Sequence, residues 1–422
     1  MTEQDVFAKA AWRLIPFMIL LYVVNYVDRV NVGFAALTMN KDLAFSPAVY
    51  GFGAGAFFLG YSLFQVPANI ILEKLGARRW IFLILLAWGA ISASTALIST
   101  PASFYGVRIL LGIAEAGFFP GMVLYLTYWF PPAYRARLIA IFMAAIPFAN
   151  MVGGPLSSLI LQMDGTAALH GWQWLFLIEG TPACLLAFAV LKFLPNGPVD
   201  APWLTPSEKS AIAARLSAED AAQHRHFWPA LRDPRLWALG VVYLGYSAGA
   251  YGVQLWLPQI VQAMGFSTLA TGFLVAVPYI VTMVAMIVWG RSSDASGERI
   301  WHVAVPAFIA FGGLIVASLT GSNFVVFLAL TFVLAGLLAL QGPFWSLPPM
   351  FLSGTAAAGG IAFINTIGTG FGGFIGPSLV GVIKDATGGY AVGMAVLAIG
   401  PMLTATIVLA LGRSMAPRTV VQ

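Results

Sequence analysis

The sequence predicts an all-α membrane protein in which twelve transmembrane helices form two parallel six-helix repeats. Three observations carry that reading: an apolar composition, apolar runs long enough to cross a bilayer, and an internal repeat at one offset. Of the 422 residues, 60% are hydrophobic and 9% charged, against about 25% charged in a soluble domain. Runs of about 20 apolar residues recur along the chain, and each is long enough as a helix to cross a hydrocarbon core of about 30 Å. The spans lie near 14–34, 48–72, 80–98, 103–126, 137–161, 174–194, 236–257, 268–290, 302–320, 324–346, 359–383 and 391–412. A β-barrel would instead show alternating segments of about 10 residues, and the sequence has none. The first run carries Asp28 and Arg29 and is too long for a cleavable signal peptide, so it is expected to remain in the mature chain.

The repeat follows from two landmarks. After span 2 the chain reads Asn69-Ile-Ile-Leu-Glu73-Lys74-Leu-Gly76-Ala-Arg78-Arg79, and after span 8 Gly290-Arg-Ser-Ser-Asp294-Ala-Ser-Gly297-Glu-Arg299. Acid, glycine and arginine recur in register. Glu73 and Asp294 are 221 residues apart, and Pro155 and Pro377, in Gly-Pro steps of spans 5 and 11, are 222 apart. Six spans per repeat is an even number, so the halves run parallel, as in alternating-access carriers with a site where the repeats meet. The chain divides into 1–194, a linker at 195–235 and 236–422. Within the linker, Thr205-Pro206-Ser207-Glu208 has the form of a capping box with proline at the first helical position, which predicts a short surface helix.

Charge gives orientation and removes other classes. Seventeen of the 21 Lys and Arg fall on one side when both termini are cytoplasmic, which is the arrangement the positive-inside rule selects. The protein is therefore expected to be multi-pass in an inner or plasma membrane. Cations divided among short loops do not form a nucleic-acid surface. Cys184 is the one cysteine, so no intramolecular disulfide forms. No His-Glu-x-x-His pattern is present, and His170, His224, His226 and His302 lie in loops or at a span edge. An enzyme and a metal site are thus not expected.

Three further segments are distinctive: Asn25-Tyr26-Val-Asp28-Arg29-Val-Asn31-Val-Gly33 in span 1, Arg108-Ile-Leu-Leu-Gly112-Ile-Ala-Glu115-Ala-Gly117 in span 4, and Gly171-Trp172-Gln-Trp174-Leu-Phe-Leu-Ile-Glu179-Gly180 around span 6. With the repeated loops, they resemble the major facilitator superfamily and, within it, the anion:cation symporter family of organic acid carriers. The wording is most similar to tartrate carriers and also resembles carriers of sugar acids and aromatic acids. The resemblance implies the major facilitator fold and a gating role for Glu73, Lys74, Arg78, Arg79, Asp294 and Arg299. The first copy departs from the family pattern in Asn69 and Glu73.

The chemistry is expected where charge lies in hydrocarbon, since each such group costs about 2.5–3.5 kcal/mol to insert at a helix centre. Arg108 and Glu115 are seven residues apart, nearly two turns, and share a helix face; Asp28 and Arg29 diverge by about 100°. Arg29 is assigned to a substrate carboxylate, because guanidinium is planar, bidentate and permanently charged. Arg108 is either a second anion contact or the partner of Asp28 or Glu115. Asp28 and Glu115 are the candidate proton carriers, since burial and a nearby arginine act on a carboxyl in opposite directions. Glu179 is assigned to structural anchoring. A water-filled chamber shared by the halves is expected to receive these charges.

No Asp, Glu, Lys or Arg falls inside the predicted spans of the second half, so its contribution is neutral. Tyr243, Tyr246, Tyr251, Gln254 and Trp256 in span 7, Gln341, Trp345 and Ser346 in span 10, and Asn365 in span 11 suit hydroxyls or an aromatic ring of a ligand. The resemblance singles out Asn365 and Asn150, followed by Tyr26, Tyr246 and Gln254. The function expected is proton-coupled import of a small organic acid anion, such as a tartrate-like hydroxy dicarboxylate or a sugar acid, by a monomer using no cofactor beyond the coupling protons. The alternatives are an efflux antiporter of the same fold and a membrane sensor without transport.

Overall fold

In the computed structural model, residues 3–220, 231–352 and 354–415 are described, so part of the linker and the end of the chain lie outside. The helices in chain order are α1 (Glu3–Asp42), α2 (Pro47–Leu75), α3 (Ala77–Ser94), α4 (Pro101–Glu115), α5 (Phe118–Thr127), α6 (Pro132–Met143), α7 (Ala145–Ile160), α8 (Gly171–Phe193) and α9 (Pro206–Asp220). They continue with α10 (Pro234–Ala263), α11 (Thr268–Ser296), α12 (Ile300–Leu319), α13 (Asn323–Ala339), α14 (Gln341–Trp345), α15 (Gly354–Asn365), a π-helical stretch (Thr366–Gly372), α16 (Gly373–Thr387), α17 (Ala391–Leu397) and α18 (Ile399–Met415). Among the described residues, twelve helical segments are long and apolar enough to cross a membrane, from Gln4–Asp42 to Ala391–Gly412.

There are more helices than spans because several spans are broken, and proline accounts for the position of four breaks. A proline has no N–H to offer the carbonyl four residues earlier and its ring clashes there. α4 ends at Glu115 and Pro120 stands in α5; α6 ends at Met143 and Pro147 follows; α13 ends at Ala339 before Pro343; α17 ends at Leu397 before Pro401. In each case the break lies within a residue of the orphaned carbonyl. Neither length nor hydropathy, which delimit the spans, contains this information.

Two helix ends differ from the sequence boundaries. α1 begins at Glu3 rather than near 14, because its first turns are polar on the outside and carry Val6, Phe7 and Ala10 buried inside. α16 runs to Thr387, where Gly388 at φ 76° closes it in the left-handed conformation that glycine adopts without strain. Lys384 and Asp385 therefore belong to the last turn of a spanning helix. With Arg235 in Pro234–Ala263 and Arg291 and Asp294 in Thr268–Ser296, they correct the expectation of a second half without ionisable residues in its spans. The Lys384 ammonium is accommodated by the Tyr390 ring at 4.0 Å and the Trp256 ring at 5.3 Å, two cation–π contacts.

The chain forms two compact units. One contains Met1–Leu43, Leu59–Gln223 and Thr268–Phe273; the other contains Ala44–Phe58, His224–Ser267 and Leu274–Gln422. The short exchanged segments are held by backbone approach. In the second unit, a Cβ on Gly51 of α2 would stand 2.5 Å from the Pro377 carbonyl oxygen, and Tyr50 Oη donates to the Leu255 carbonyl at 2.6 Å. Asp385 Oδ2 accepts from Ser46 Oγ at 2.8 Å and from the Ala48 N–H at 3.1 Å, which satisfies the start of α2. In the first unit, a Cβ on Gly272 of α11 would lie 2.1 Å from Ser158 Oγ. Gly272 also approaches the Gly154 carbonyl oxygen, to which a Cβ would stand at 2.5 Å, so Gly51 and Gly272 are positions that only glycine fits.

The linker helix α9 has the capping box read from sequence. The Glu208 N–H donates to Thr205 Oγ1 at 3.3 Å and the Thr205 N–H donates to Glu208 Oε2 at 2.7 Å. Lys9 Nζ of α1 adds a salt bridge to Glu208 at 2.9 Å. That second use of the carboxylate ties the linker helix to the first spanning helix.

Candidate functional site

The site is built from α1 outward, because α1 presents Asn25, Tyr26, Asp28, Arg29 and Asn31 to its neighbours within one unit, all of them buried. Arg29 and Glu115 form a salt bridge of 2.8 Å through NH2, with Nε also donating to the same Oε2 at 3.2 Å. Asn25 Nδ2 donates to that oxygen at 2.8 Å, and the Asn25 carbonyl oxygen accepts from Arg29 at 3.3 Å. The guanidinium also lies 4.9 Å from the ring centre of Tyr61 and 5.5 Å from that of Tyr26. Arg29 is thus held by a carboxylate on its Nε–NH2 edge and by two aromatic rings. Glu115 is the last residue of α4, where Gly117 leaves no room for a side chain: a Cβ there would stand 2.7 Å from that of Ala68.

Asp28 does not share this network. Its carboxylate accepts from Asn31 Nδ2 at 2.9 Å and, at short range, from Trp88 Nε1 and Ser92 Oγ of α3. Trp88 and Ser92 are four residues apart and so lie on one face of α3, which is how one helix supplies two donors to one carboxylate. Arg108, on the same helix as Glu115, is fully buried.

Asp28, Arg108 and Glu115 have 0% exposed surface and Arg29 has 4%. Protein donors, rings and opposite charges supply compensation of the kind buried charge requires. Glu115 uses one oxygen for all three of its hydrogen bonds and keeps Oε1 buried without a partner.

The remaining candidates divide between the units. Asn150 lies in the first unit, 3% exposed, with its amide donating to the Ile146 carbonyl one turn back at 2.9 Å. Tyr246 lies in the second unit, stacked on Tyr243 at 5.0 Å. Gln254, on the same helix, is buried with Oε1 unpartnered. Asn365 immediately precedes the π-helical stretch, and its Oδ1 accepts from Thr369 Oγ1 at 2.9 Å. The Tyr243 ring stacks on Phe344 at 5.0 Å and meets Trp345 edge-on at 4.8 Å. Gly368 makes room for that ring, since a Cβ there would fall 2.2 Å from Tyr243 Cδ1. The second unit thus holds the neutral polar pair Asn365 and Thr369, with the Tyr243 ring against Gly368 between them in sequence.

Of the residues assigned to gating, Asp294 and Arg299 form a salt bridge of 2.8 Å, with Arg299 also donating to Ser293 Oγ at 2.6 Å. Lys74, Arg78 and Arg79 are exposed, and the Glu73 side chain lies outside the described ones. The two repeat copies share a backbone feature: Gly76 has φ 79° and Gly297 has φ 67°, again 221 residues apart. Sequence reading missed Tyr61, Trp88, Ser92 and Thr369 as members of these clusters. For Trp88 and Ser92 a signal existed in their four-residue spacing; for Tyr61 and Thr369 nothing short of the tertiary packing points to them.

Comparison with known proteins agrees with this architecture. The sequence description of the Major Facilitator Superfamily matches residues 18–377. A protein of Agrobacterium vitis named "Putative tartrate transporter" is 48% identical over 98% of this chain and 92% of its own length. A quinolone resistance transporter of Acinetobacter baumannii is 41% identical over 94% of this chain and 92% of its own. Among solved structures, a bacterial homolog of the human lysosomal transporter Spinster superposes with a TM-score of 0.78 at 19% identity, covering 95% of this chain and 96% of that one.

Proposed function

The chain belongs to the major facilitator superfamily, and from that premise we propose that it imports a small organic acid anion together with protons. The observation that carries this reading is the carboxylate of Glu115 on the Nε–NH2 edge of Arg29. That edge is the bidentate carboxylate receptor of a guanidinium, and here it is filled by an internal carboxylate that a proton can neutralise. Protonation of Glu115 at its unpartnered Oε1 weakens its hold on Arg29 and releases the edge to a substrate carboxylate. Proton and anion then bind together, which is the thermodynamic condition for symport. Asp28, with three donors of its own, is the second coupling carboxyl. Arg108 keeps the Glu115 region positive whichever carboxylate is bound.

The neutral side chains of Tyr243, Asn365 and Thr369 suit ligand hydroxyls, which favours a tartrate-like hydroxy dicarboxylate or a sugar acid. The name of the relative from Agrobacterium vitis supports the same choice. The repeats 1–194 and 236–422 move by alternating access, in an inner or plasma membrane with both termini cytoplasmic, and the working unit is a monomer.

The test is uptake of radiolabelled tartrate, sugar acids and aromatic acids into proteoliposomes with an imposed pH gradient. Acid-inside-to-outside direction matters: accumulation is expected only when the substrate side is the more acidic. Glu115→Gln is expected to abolish accumulation driven by the gradient while leaving exchange of labelled for unlabelled substrate. Accumulation by that variant at the wild-type level would remove Glu115 from the coupling. The second reading, efflux antiport, is favoured by the quinolone resistance transporter at 41% identity. It requires acidification rather than alkalinisation of the substrate-containing medium when that medium is outside and import is expected.

A further inference from the structure

Beside the linker, the first unit contains a cavity of about 260 Å³ that the symport scheme does not use. Arg13 of α1, Arg78 of α3 and Lys192 of α8 line it, together with Phe193, Asp200 and Trp203. Three spanning helices thus each bring one cation, and the chain between α8 and α9 brings one carboxylate, which leaves the lining net positive. Other cations nearby are engaged by the protein: Lys9 by Glu208 at 2.9 Å, and Lys209 by the Val199 carbonyl at 2.7 Å. Among the described residues, the side chains of Arg13, Arg78 and Lys192 have neither a hydrogen bond nor a salt bridge.

The wall of the cavity is fixed by the protein at three points. Tyr125 Oη of α5 donates to the Pro195 carbonyl at 2.7 Å, and Asn196 Oδ1 accepts from the Arg78 N–H at 3.1 Å. Trp203 stacks on Trp129 with ring centres 5.5 Å apart. The cavity is therefore formed before a ligand arrives, which lowers the ordering cost of binding.

An apolar helix face leads to the cations. Leu185, Phe188 and Lys192 follow at intervals of three and four residues and share one face of α8. Leu185 is 67% and Phe188 60% exposed, within the span Gly171–Phe193. Arg13 and Phe17 are likewise four residues apart on α1, and the Phe17 ring meets that of Phe193 at 5.8 Å. A soluble anion would use the cations alone, whereas an amphiphile uses the cations and the apolar face together.

We propose that this cavity binds the phosphate headgroup of an anionic membrane lipid, whose acyl chains run along α8 past Phe188 and Leu185. Basic pockets between spanning helices accept such headgroups, and guanidinium pairs with phosphate oxygens bidentately. Bound there, the phosphate bridges the ends of α1, α3 and α8 where the linker begins.

Native mass spectrometry of the delipidated full-length protein, titrated with phosphatidylglycerol or phosphatidylcholine, tests this independently of transport. One phosphatidylglycerol is expected to bind the wild-type protein in preference to phosphatidylcholine. Arg13→Gln combined with Lys192→Gln is expected to weaken that binding about thirtyfold, whereas Lys192→Arg retains it. Both side chains are exposed, so folding is preserved, as a monodisperse elution profile would verify. Lys74→Gln combined with Arg79→Gln removes two exposed cations outside the lining and is expected to leave the affinity unchanged. Equal binding by wild type and the Arg13 and Lys192 double variant would overturn the proposal. Equal loss in the Lys74 and Arg79 double variant would overturn it too, by reducing the effect to net charge. Displacement of phosphatidylglycerol by equimolar glycerol 3-phosphate would make this a site for soluble phosphate and overturn the lipid assignment.

Discussion

Arg29 shows how one side chain changes meaning between sequence and structure. Its type and its place in an apolar run mark it as a carboxylate receptor, and both its neighbours and its partner become visible only in three dimensions. Its guanidinium is gripped through Nε and NH2 by Glu115, 86 positions along the chain, with Asn25 one turn back on its own helix. Lysine cannot reproduce that planar, two-donor edge. Arg29→Lys is therefore expected to raise the KM for the organic anion about tenfold or more, in keeping with about 1.5–3 kcal/mol for a hydrogen bond to a charged group, as measured by initial uptake rates over a substrate series. An unchanged KM would show that Arg29 is structural. Asp28 and Arg29, adjacent in sequence, belong to different networks, as their divergence of about 100° on a helix anticipates.

At the level of elements, the capping box of α9 was legible because its four residues are contiguous and local hydrogen bonding decides it. The Lys9 contact was not, since it joins positions 199 apart. The Glu208 carboxyl is held below the usual glutamate range by the Lys9 side chain and by the Thr205 N–H. A depressed carboxyl stabilises the folded form above its unfolded value of about 4.3, and that contribution is lost as pH falls through the lower folded value. Hydrogen exchange of α9 is thus expected to accelerate on acidification below about pH 4, and the acceleration attributable to this contact should be missing in Glu208→Gln. The repeated loops give a second test. Gly297 sits at φ 67°, where an L-residue pays about 1–2 kcal/mol, so Gly297→Ala is expected to lower the unfolding midpoint. Gly290, which has nothing within 4 Å of a Cβ, serves as control: Gly290→Ala inside α11 should leave the midpoint unchanged or raise it by the helix propensity gain of about 0.5–1 kcal/mol.

For the whole molecule, the exchanged segments 44–58 and 268–273 are the feature that spans alone do not reveal. Gly51 lies against the Pro377 carbonyl with no space for a side chain, so Gly51→Leu is expected to loosen 44–58 from its unit and raise deuterium uptake there. Gly106→Leu, at a position open for at least 4 Å, should not; equal protection in both variants would refute this account of the packing. Twelve spans, the repeat offset of 221 and the identity of the charged residues were determined by the sequence alone, because bilayer thickness imposes segment length and a charge in hydrocarbon is conspicuous wherever it occurs. Which carboxylate meets Arg29, that Trp88 and Ser92 serve Asp28, and that Ser157 serves Glu179 were decided by tertiary structure. Such pairings depend on helix rotation and on approach distances set by glycines and prolines in neighbouring helices, and a one-dimensional pattern of apolar runs carries neither.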